Sequence, residues 1–190
     1  MPDPTPLVIL VDTREQLPYS FDTSPRYLGT TVASAKLDTG DYSVPGGEHR
    51  IAVERKSMPD LVGCLTQGRA RFERELQRAQ ALDIFAVVIE GTMTELAHGE
   101  YRSQLRPWAA LQTLATWTIR YRTCFVWSGS RAAAECWTWS VLSKWWREQT
   151  DVGPSRLAMA AVDAAAGPAP HTGHGAAHAR AKVEIGRAHV

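Results

Sequence analysis

The sequence predicts an α/β fold in which helices flank a mixed central sheet. Two observations predict it. Short apolar runs rich in β-branched residues recur at 7–11, 84–89 and 123–127, and each is typical of a buried strand. Segments with helical character, at 69–82 and 107–120, separate these runs, as expected when helices cover a sheet.

The first third of the chain is predicted to be rich in strands. After the strand at 7–11, the segment 16–26 contains two prolines and is predicted to be irregular. The strands predicted next are 30–37, 42–44 and 50–54. A turn signal at 38–41 precedes the second of these, and Pro-Gly-Gly-Glu-His at 45–49 predicts a hairpin between the last two.

The rest of the domain is predicted to be mainly helical, apart from its two buried strands. The predicted helices are 57–64, 69–82, 92–98, 107–120 and 131–149. Ser57 is a typical N-cap, and Asp60 holds the capping-box position where Glu or Gln is usual. Gly68 separates the first two helices, and Pro107 suits the first turn of the fourth.

Composition divides the chain into two regions. The 190 residues are 44% hydrophobic, which is enough for a packed core, and we expect 1–150 to form one domain. Ala, Gly, Pro and His dominate 151–190, so this low-complexity segment is expected to be a disordered tail with at most a marginal helix at 156–166. The last residues, 185–190, resemble translated sequencing adapter and are not expected to contribute to function.

Charge and cysteine content narrow the class of protein. The net charge is +1, so any surface that binds nucleic acid must be a local patch. The three cysteines include no Cys-x-x-Cys pair, which argues against a disulfide framework or a zinc ribbon. No signal pattern or membrane-spanning run is present. We therefore expect a cytoplasmic protein with no membrane partner, associated with the nucleoid if bacterial and in the host cytoplasm if from a phage.

Charged residues gather around the predicted hairpin. Residues two apart on a strand face the same way, so Glu54 and Lys56 share one face while Arg55 points to the other. Asp41 begins the neighbouring strand and is expected beside Glu54. Two carboxylates and an ammonium group would then converge at one edge of the sheet.

This set of groups suits the hydrolysis of a phosphodiester. Two carboxylates with open coordination positions form a hard oxygen site, which favours Mg²⁺ or Mn²⁺. A divalent ion there lowers the pKa of a bound water and polarises a phosphoryl oxygen. Lys56 could hold that water or stabilise charge that develops on phosphorus.

Several short motifs follow one another along the chain. They are Val-Asp-Thr-Arg-Glu at 11–15, Gly-Asp-Tyr at 40–42, and Val-Glu-Arg-Lys-Ser at 53–57 followed by Asp60 and Leu61. Together they resemble the PD-(D/E)xK nuclease superfamily and, within it, the XPF/ERCC4 nuclease domain, with further similarity at 68–69, 88–90 and 128–135. The resemblance extends over roughly 7–149, and the ordered combination of motifs is far more specific than Glu-Arg-Lys alone.

The resemblance implies a restriction-endonuclease-like fold and a DNA endonuclease that depends on Mg²⁺ or Mn²⁺. Branched, flap or junction DNA would be the substrate, in repair or recombination. The helix-hairpin-helix modules and the helicase domain of larger relatives are not recognised here, which indicates a compact bacterial or phage version. Branch specificity is therefore open, as is a helicase partner acting in trans.

The resemblance also implies roles for particular residues. Asp41 and Glu54 would be metal ligands together with the backbone carbonyl of Arg55, and Lys56 would orient the attacking water. Asp12, Glu15 and Asp60 would support the site or a second ion, with Asp12 as a further metal ligand and Asp60 equally suited to helix capping. Arg14 and Arg55 would contact DNA or brace the carboxylates. The candidate catalytic residues are Asp12, Glu15, Asp41, Glu54 and Lys56.

One predicted helix, 69–82, offers a surface for DNA. Phe72, Leu76 and Ala79 fall on its apolar side. The arginines Arg71, Arg74 and Arg78 fall on another side, where they would contact phosphates with the help of Arg69. The alternative is a solvated face on which Glu73 and Glu75 pair with these arginines.

The tryptophan-rich helix 131–149 suggests a homodimer. Trp137 and Trp145 share one stripe of it, whereas Trp139 and Trp146 lie off that stripe, and a helix that is apolar on more than one side is typical of an interface. Two other functions stay open. The chain could be a catalytically silent DNA-binding scaffold of the same fold, or a nuclease without branch preference.

Overall fold

The computed structural model describes residues 6–150. The elements are β1 (Val8–Asp12), β2 (Thr31–Ala35), β3 (Tyr42–Ser43), β4 (Ile51–Lys56), α1 (Met58–Leu65), α2 (Arg69–Ala79), β5 (Ile84–Ile89), α3 (Met93–His98), α4 (Pro107–Tyr121), β6 (Cys124–Trp127) and α5 (Arg131–Thr150). The predicted tail at 151–190, with its marginal helix and terminal adapter, lies outside the described residues.

A single six-stranded sheet has the order β2-β1-β3-β4-β5-β6. The pairs β1–β2, β4–β5 and β5–β6 are parallel, whereas β3 is antiparallel to both β1 and β4. The mixed sheet and the β3–β4 hairpin are therefore confirmed. Because β1 and β4 both oppose β3, they run in the same direction, and only β3 among the described strands runs the other way.

This topology brings the chemically interesting residues to one edge. The carboxyl ends of β1, β4 and β5, at Asp12, Lys56 and Ile89, lie on the same side of the sheet. Because β3 runs in the opposite direction, Asp41, directly before its first residue, lies there too. We call this side the carboxyl edge.

Helices cover both faces of the sheet. On one face, which we call the α2 face, α1, α2 and α4 pack on Ala52, Val87 and Ile89. On the other, the α5 face, α5 packs on Val53 and Val88. Since the faces alternate along β4, Glu54 and Lys56 belong to the α2 face, and Arg55 belongs to the α5 face, as the sequence predicts.

The tryptophans of α5 find partners within the chain. Trp145 is buried, and Trp137, Trp139 and Trp146 are partly buried against the same core. Trp139 also donates a hydrogen bond from Nε1 to Thr30 Oγ1 at 2.9 Å. Packing within the described domain thus accounts for apolar residues on more than one side of this helix, and a homodimer through it stays a prediction.

The helix ends follow local chemistry. Ser57 caps α1 as predicted, since its side chain accepts a hydrogen bond from the Asp60 N–H at 3.2 Å. The helix predicted at 69–82 ends earlier, at Ala79. The N–H groups that follow bond to the carbonyl three residues before them, as in a 3₁₀ turn, and Ala81 N–H donates to Arg78 O at 3.1 Å. Across residues 6–150, no helix is both long and apolar enough to cross a membrane.

Candidate active site

The candidate site begins at the end of β4. Glu54 is only 4% exposed, and it accepts a hydrogen bond from Lys56 Nζ. The same Nζ lies 5.1 Å from the ring centroid of Phe72 on α2. An ammonium group is thus held between a carboxylate and an aromatic face, on the α2 face of the sheet.

Asp41 approaches this pair through a close turn. Its N–H donates to Val53 O at 2.9 Å, and its Oδ2 accepts from the Arg55 N–H at 2.8 Å. Gly40 has a φ of +80°, and a Cβ there would lie 2.8 Å from the Ala52 Cβ and 3.3 Å from Val53 O. Only glycine allows the chain to pass this close to β4 in that conformation. Asp41 therefore lies beside β4 at the level of Glu54 and Arg55, as expected.

Burial disfavours the charged form of both carboxylates, Asp41 and Glu54. Burial raises the pKa of Asp41 to about 6, against the lowering effects of the Arg55 N–H and of Lys56. Burial also raises the pKa of Glu54 well above its usual value, and the nearby charge of Asp41 raises it further. Two crowded, desolvated anions of this kind would be relieved by a cation between them.

The Lys56 side chain stays protonated. Burial alone would lower its pKa, but the charge of Glu54 and the hydrogen bond to it raise the pKa above its usual value. An ammonium that keeps its proton is suited to hydrogen bonding and charge stabilisation, not to removing a proton from water. A protonated Lys56 is compatible with orienting a water molecule, and that role stays a prediction.

Sequence reasoning missed a third carboxylate near the pair. Glu75 on α2 is half-buried, and within the described residues it accepts no hydrogen bond and forms no ion pair. Its charge raises the pKa of both Asp41 and Glu54, so it lies within electrostatic range of that pair. The signal in the sequence was its position one turn after Phe72, at the border of the apolar side of the helix.

Asp12 occupies a different environment. It is 3% exposed, and its oxygens accept hydrogen bonds from the Arg14 N–H at 2.8 Å, Arg14 Nε at 2.7 Å and the Leu37 N–H at 2.7 Å. Burial would raise its pKa, but these hydrogen bonds lower it below the usual value. The structure thus places Asp12 at the carboxyl edge with both oxygens engaged, where it ties the end of β1 to the following turn.

The remaining predicted site residues fall into two groups. Glu15 Oε1 accepts from the Leu17 N–H at 2.6 Å and lies 3.5 Å from Arg55 Nη1, so it belongs to the α5 face. Arg14 contacts Asp12, and its exposed guanidinium also donates to the Leu37 carbonyl at 2.6 Å. Its placement is compatible with bracing Asp12 and leaves it open to solvent.

The α1 and α2 residues lie at the surface. Asp60 is exposed and accepts from Ser57 Oγ at 2.6 Å, which favours the capping alternative over a site role. Arg69 pairs with Glu73 at 3.1 Å. The other arginines of α2 are exposed, at positions Arg71, Arg74 and Arg78. The expected division of α2 into an apolar and a basic side is therefore present.

The donor set fits a hard divalent ion. Among the described residues no three His, Cys, Asp or Glu side chains are grouped so that they could hold a metal by themselves. A third ligand must come from elsewhere, and the Arg55 carbonyl is suitable. A strand residue projects its N–H and C=O to the same side, and the Arg55 N–H points to Asp41. Two carboxylates and a carbonyl leave the open positions that Mg²⁺ fills with water.

Known proteins resemble this chain in sequence motif and in fold. The family model of the ERCC4 domain matches residues 11–138. Among solved structures, XPF from Aeropyrum pernix is 23% identical, with a TM-score of 0.56 over 76% of this chain and 68% of that chain. XPF from Aeropyrum pernix in complex with DNA is 20% identical, with a TM-score of 0.56 over 74% of this chain and 66% of that chain.

No curated protein matches the chain. At these identities the two structural likenesses show the fold alone, and the expected restriction-endonuclease-like architecture is confirmed by them.

Proposed function

Because this chain belongs to the ERCC4 domain family, we propose that it is a DNA endonuclease that requires Mg²⁺ or Mn²⁺. The observation that carries the proposal is the convergence of Asp41, Glu54 and Lys56 at the carboxyl edge, with the pKa of both carboxylates raised. An ordinary surface ion pair does not place two carboxylates together where water is scarce, because burying like charges is costly. A site that binds a cation requires such an arrangement.

Each group of the candidate site would have its own role in the hydrolysis of the phosphodiester. Asp41, Glu54 and the Arg55 carbonyl would hold the ion. When bound, the ion supplies a Lewis acid for the phosphoryl oxygen and lowers the pKa of a coordinated water. Lys56, permanently charged, hydrogen-bonds the attacking water and stabilises the negative charge on the phosphoryl oxygens.

The arginine side of α2 would bind the DNA backbone. α1 leads from the end of β4 to α2, and α2 borders the site through Phe72 and Glu75. Phosphates of a strand bound along the exposed Arg71 and Arg74 would thus lie next to the carboxylates. Contacts with phosphates position DNA but do not read its sequence, so selectivity would come from the shape of the substrate.

We further propose that branched, flap or junction DNA is the preferred substrate. The family membership supports this preference, and the solved relative in complex with DNA supports binding to DNA in general. A nuclease without branch preference is the second candidate, because the arginine side of α2 could bind the phosphates of branched and of unbranched DNA equally well.

One assay tests the proposal. Purified protein is incubated with Mg²⁺ or Mn²⁺ and with labelled single-stranded, duplex, splayed-arm, flap and four-way DNA. Asp41→Asn and Glu54→Gln should each lower the cleavage rate at least about a hundredfold while DNA affinity in EDTA stays near that of wild type. Asp38→Asn, at an exposed aspartate three residues before Asp41, is the matched control and should cut normally.

The outcomes separate the alternatives. If both site variants cut at the wild-type rate, the proposed site is wrong. If the wild-type protein binds these DNAs but cuts none of them with either ion, the scaffold alternative replaces the nuclease. Equal rates on duplex and branched DNA would leave a nuclease without branch preference.

A further inference from the structure

A row of alternating charges lies on the α5 face, directly behind the candidate site. Arg55 donates from Nε and Nη2 to the two oxygens of Glu90 at 2.7 and 2.9 Å. Glu90 Oε1 also accepts from Arg131 Nη1 at 3.1 Å. At the other end, Arg55 Nη1 lies 3.5 Å from Glu15 Oε1. We call Glu15, Arg55, Glu90 and Arg131 the charge row.

Arg131 joins this row to the loop between β1 and β2. Its Nη2 donates to the carbonyls of Leu17 and Pro18, both at 2.8 Å. Its guanidinium lies 4.8 Å from the ring centroid of Tyr19, and the Arg55 guanidinium lies 5.9 Å from the same centroid. One side chain at the start of α5 therefore holds the end of β5 and the segment that follows Glu15.

The charge row bears on the site through the backbone of Arg55. The Arg55 N–H donates to Asp41 Oδ2 at 2.8 Å, and its neighbours in the chain are Glu54 and Lys56. Its side chain is only 9% exposed, and that of Glu90 only 10%. Partners this deeply buried cannot be exchanged for water at low cost, so the bidentate pair restrains the last residues of β4.

We propose that Arg131 is a positioning residue of the nuclease site. Through Glu90 it restrains Arg55, and through the Leu17 and Pro18 carbonyls it restrains the loop that carries Glu15. The planar guanidinium reaches the carboxylate and two carbonyls at once, which a lysine ammonium on its flexible stem does not reproduce. This inference rests on the proposed function, because positioning has a meaning only for a site that acts.

The position of Arg131 makes it suitable for a test. Its side chain is 43% exposed, so we expect the domain to fold and the buried Arg55–Glu90 pair to remain when this side chain is removed. Arg26 provides a matched control. It is also exposed, and it links the same loop to α5 by donating to Cys136 Sγ at 2.8 Å, but it does not touch the charge row.

The experiment compares wild type, Arg131→Ala, Arg131→Lys and Arg26→Ala on the best-cut DNA, with kcat and KM determined at several Mn²⁺ concentrations. Arg131→Ala should lower kcat about tenfold and raise the Mn²⁺ concentration for half-maximal rate several-fold, with KM and DNA affinity in EDTA near wild type. Arg131→Lys should recover part of kcat. Arg26→Ala should retain wild-type kcat and Mn²⁺ dependence even if its melting temperature falls as much as that of Arg131→Ala.

If wild type cuts DNA, any of three results would overturn the inference. One is a wild-type kcat and Mn²⁺ dependence in Arg131→Ala. Another is weaker DNA binding in Arg131→Ala with unchanged kcat, which would make Arg131 a phosphate contact. The third is an equal loss of kcat in Arg26→Ala, which would reduce both arginines to general stability. If wild type itself cuts no DNA, the proposed function fails first, and Mn²⁺ affinity by calorimetry still decides: equal affinity for wild type and Arg131→Ala would overturn the positioning role.

Discussion

Asp41→Asn should make the metal-free protein more stable at alkaline pH. Asp41 is half-buried, and burial raises its pKa from 3.8 to about 6 despite the hydrogen bond from the Arg55 N–H. Asparagine keeps an oxygen acceptor for that N–H and has nearly the same shape, but it carries no charge. The substitution also removes the negative charge that Asp41 places near Glu54.

The size of the effect follows from the pKa. The folded-state pKa of Asp41 lies above its unfolded value, so ionisation is disfavoured in the folded state. Stability attributable to this group is greatest below pH 3.8 and is lost as the pH rises to about 6. At about 1.36 kcal/mol for each pH unit, the loss approaches about 3 kcal/mol at pH 8 and stays below about 1 kcal/mol at pH 4. Asp41→Asn carries no charge at this position and therefore escapes this loss.

Urea unfolding in EDTA at pH 8 and pH 4 measures the difference, with Asp38→Asn as the exposed control. The stabilisation of Asp41→Asn should appear at pH 8 and largely disappear at pH 4. Adding Mn²⁺ at about a hundred times its Kd should stabilise wild type by about 2.7 kcal/mol and the variant far less, which removes or reverses the order of stability. A variant that is less stable than wild type at pH 8 in EDTA would refute the reasoning that burial penalises the Asp41 carboxylate.

Three further predictions concern neighbouring features. Gly40→Ala should lower the free energy of unfolding by about 2–4 kcal/mol, because φ is positive there and the new Cβ would lie 2.8 Å from the Ala52 Cβ. Gly63→Ala in α1, where a Cβ would meet nothing within 4 Å, should raise the free energy of unfolding by about 0.5–1 kcal/mol. Chemical denaturation of both variants measures the contrast. Glu75→Gln should move the acid limb of the pH–rate profile to lower pH at saturating Mn²⁺, because the charge of Glu75 raises the pKa of both site carboxylates, and an unmoved limb would place Glu75 outside the site. Arg74→Ala should weaken DNA binding and reduce the slope of log Kd against log salt by about 1, and an unchanged slope would remove this arginine from the DNA surface.

The sequence predicted the parts of the site that depend on the alternation of one strand. Glu54 and Lys56 lie on the α2 face and Arg55 lies on the α5 face. Both faces of β4 are packed, so a shift by one residue would exchange the side chains between the two faces and disrupt both cores. The turn at Asp41 was predictable for a related reason, since a hairpin brings its first strand beside the second.

Contacts between distant elements were not predictable in this way. Glu75 has Arg71 and Arg78 at helical spacing, so a local ion pair was a reasonable expectation from sequence. Its actual surroundings depend on how α2 docks on the sheet, which is decided by the burial of Phe72 and Leu76. Arg131 is separated from Glu90 by the whole of α3, α4 and β6, and no periodicity links them.

The direction of β3 explains why a glycine and an aspartate must stand together at the entrance to the site. The other strands bring residues to the carboxyl edge where they end, but β3 brings Asp41 there where it begins. The chain must therefore arrive at the edge already alongside β4, and Gly40 passes Ala52 and Val53 too closely for any side chain. A bulkier residue at position 40 would move Asp41 away from β4 and expose its carboxylate to water. Burial is the main cause of the raised Asp41 pKa, and it depends on the same close approach to β4 that requires glycine at position 40. The variant Gly40→Ala should therefore lower the Asp41 pKa as well as the stability.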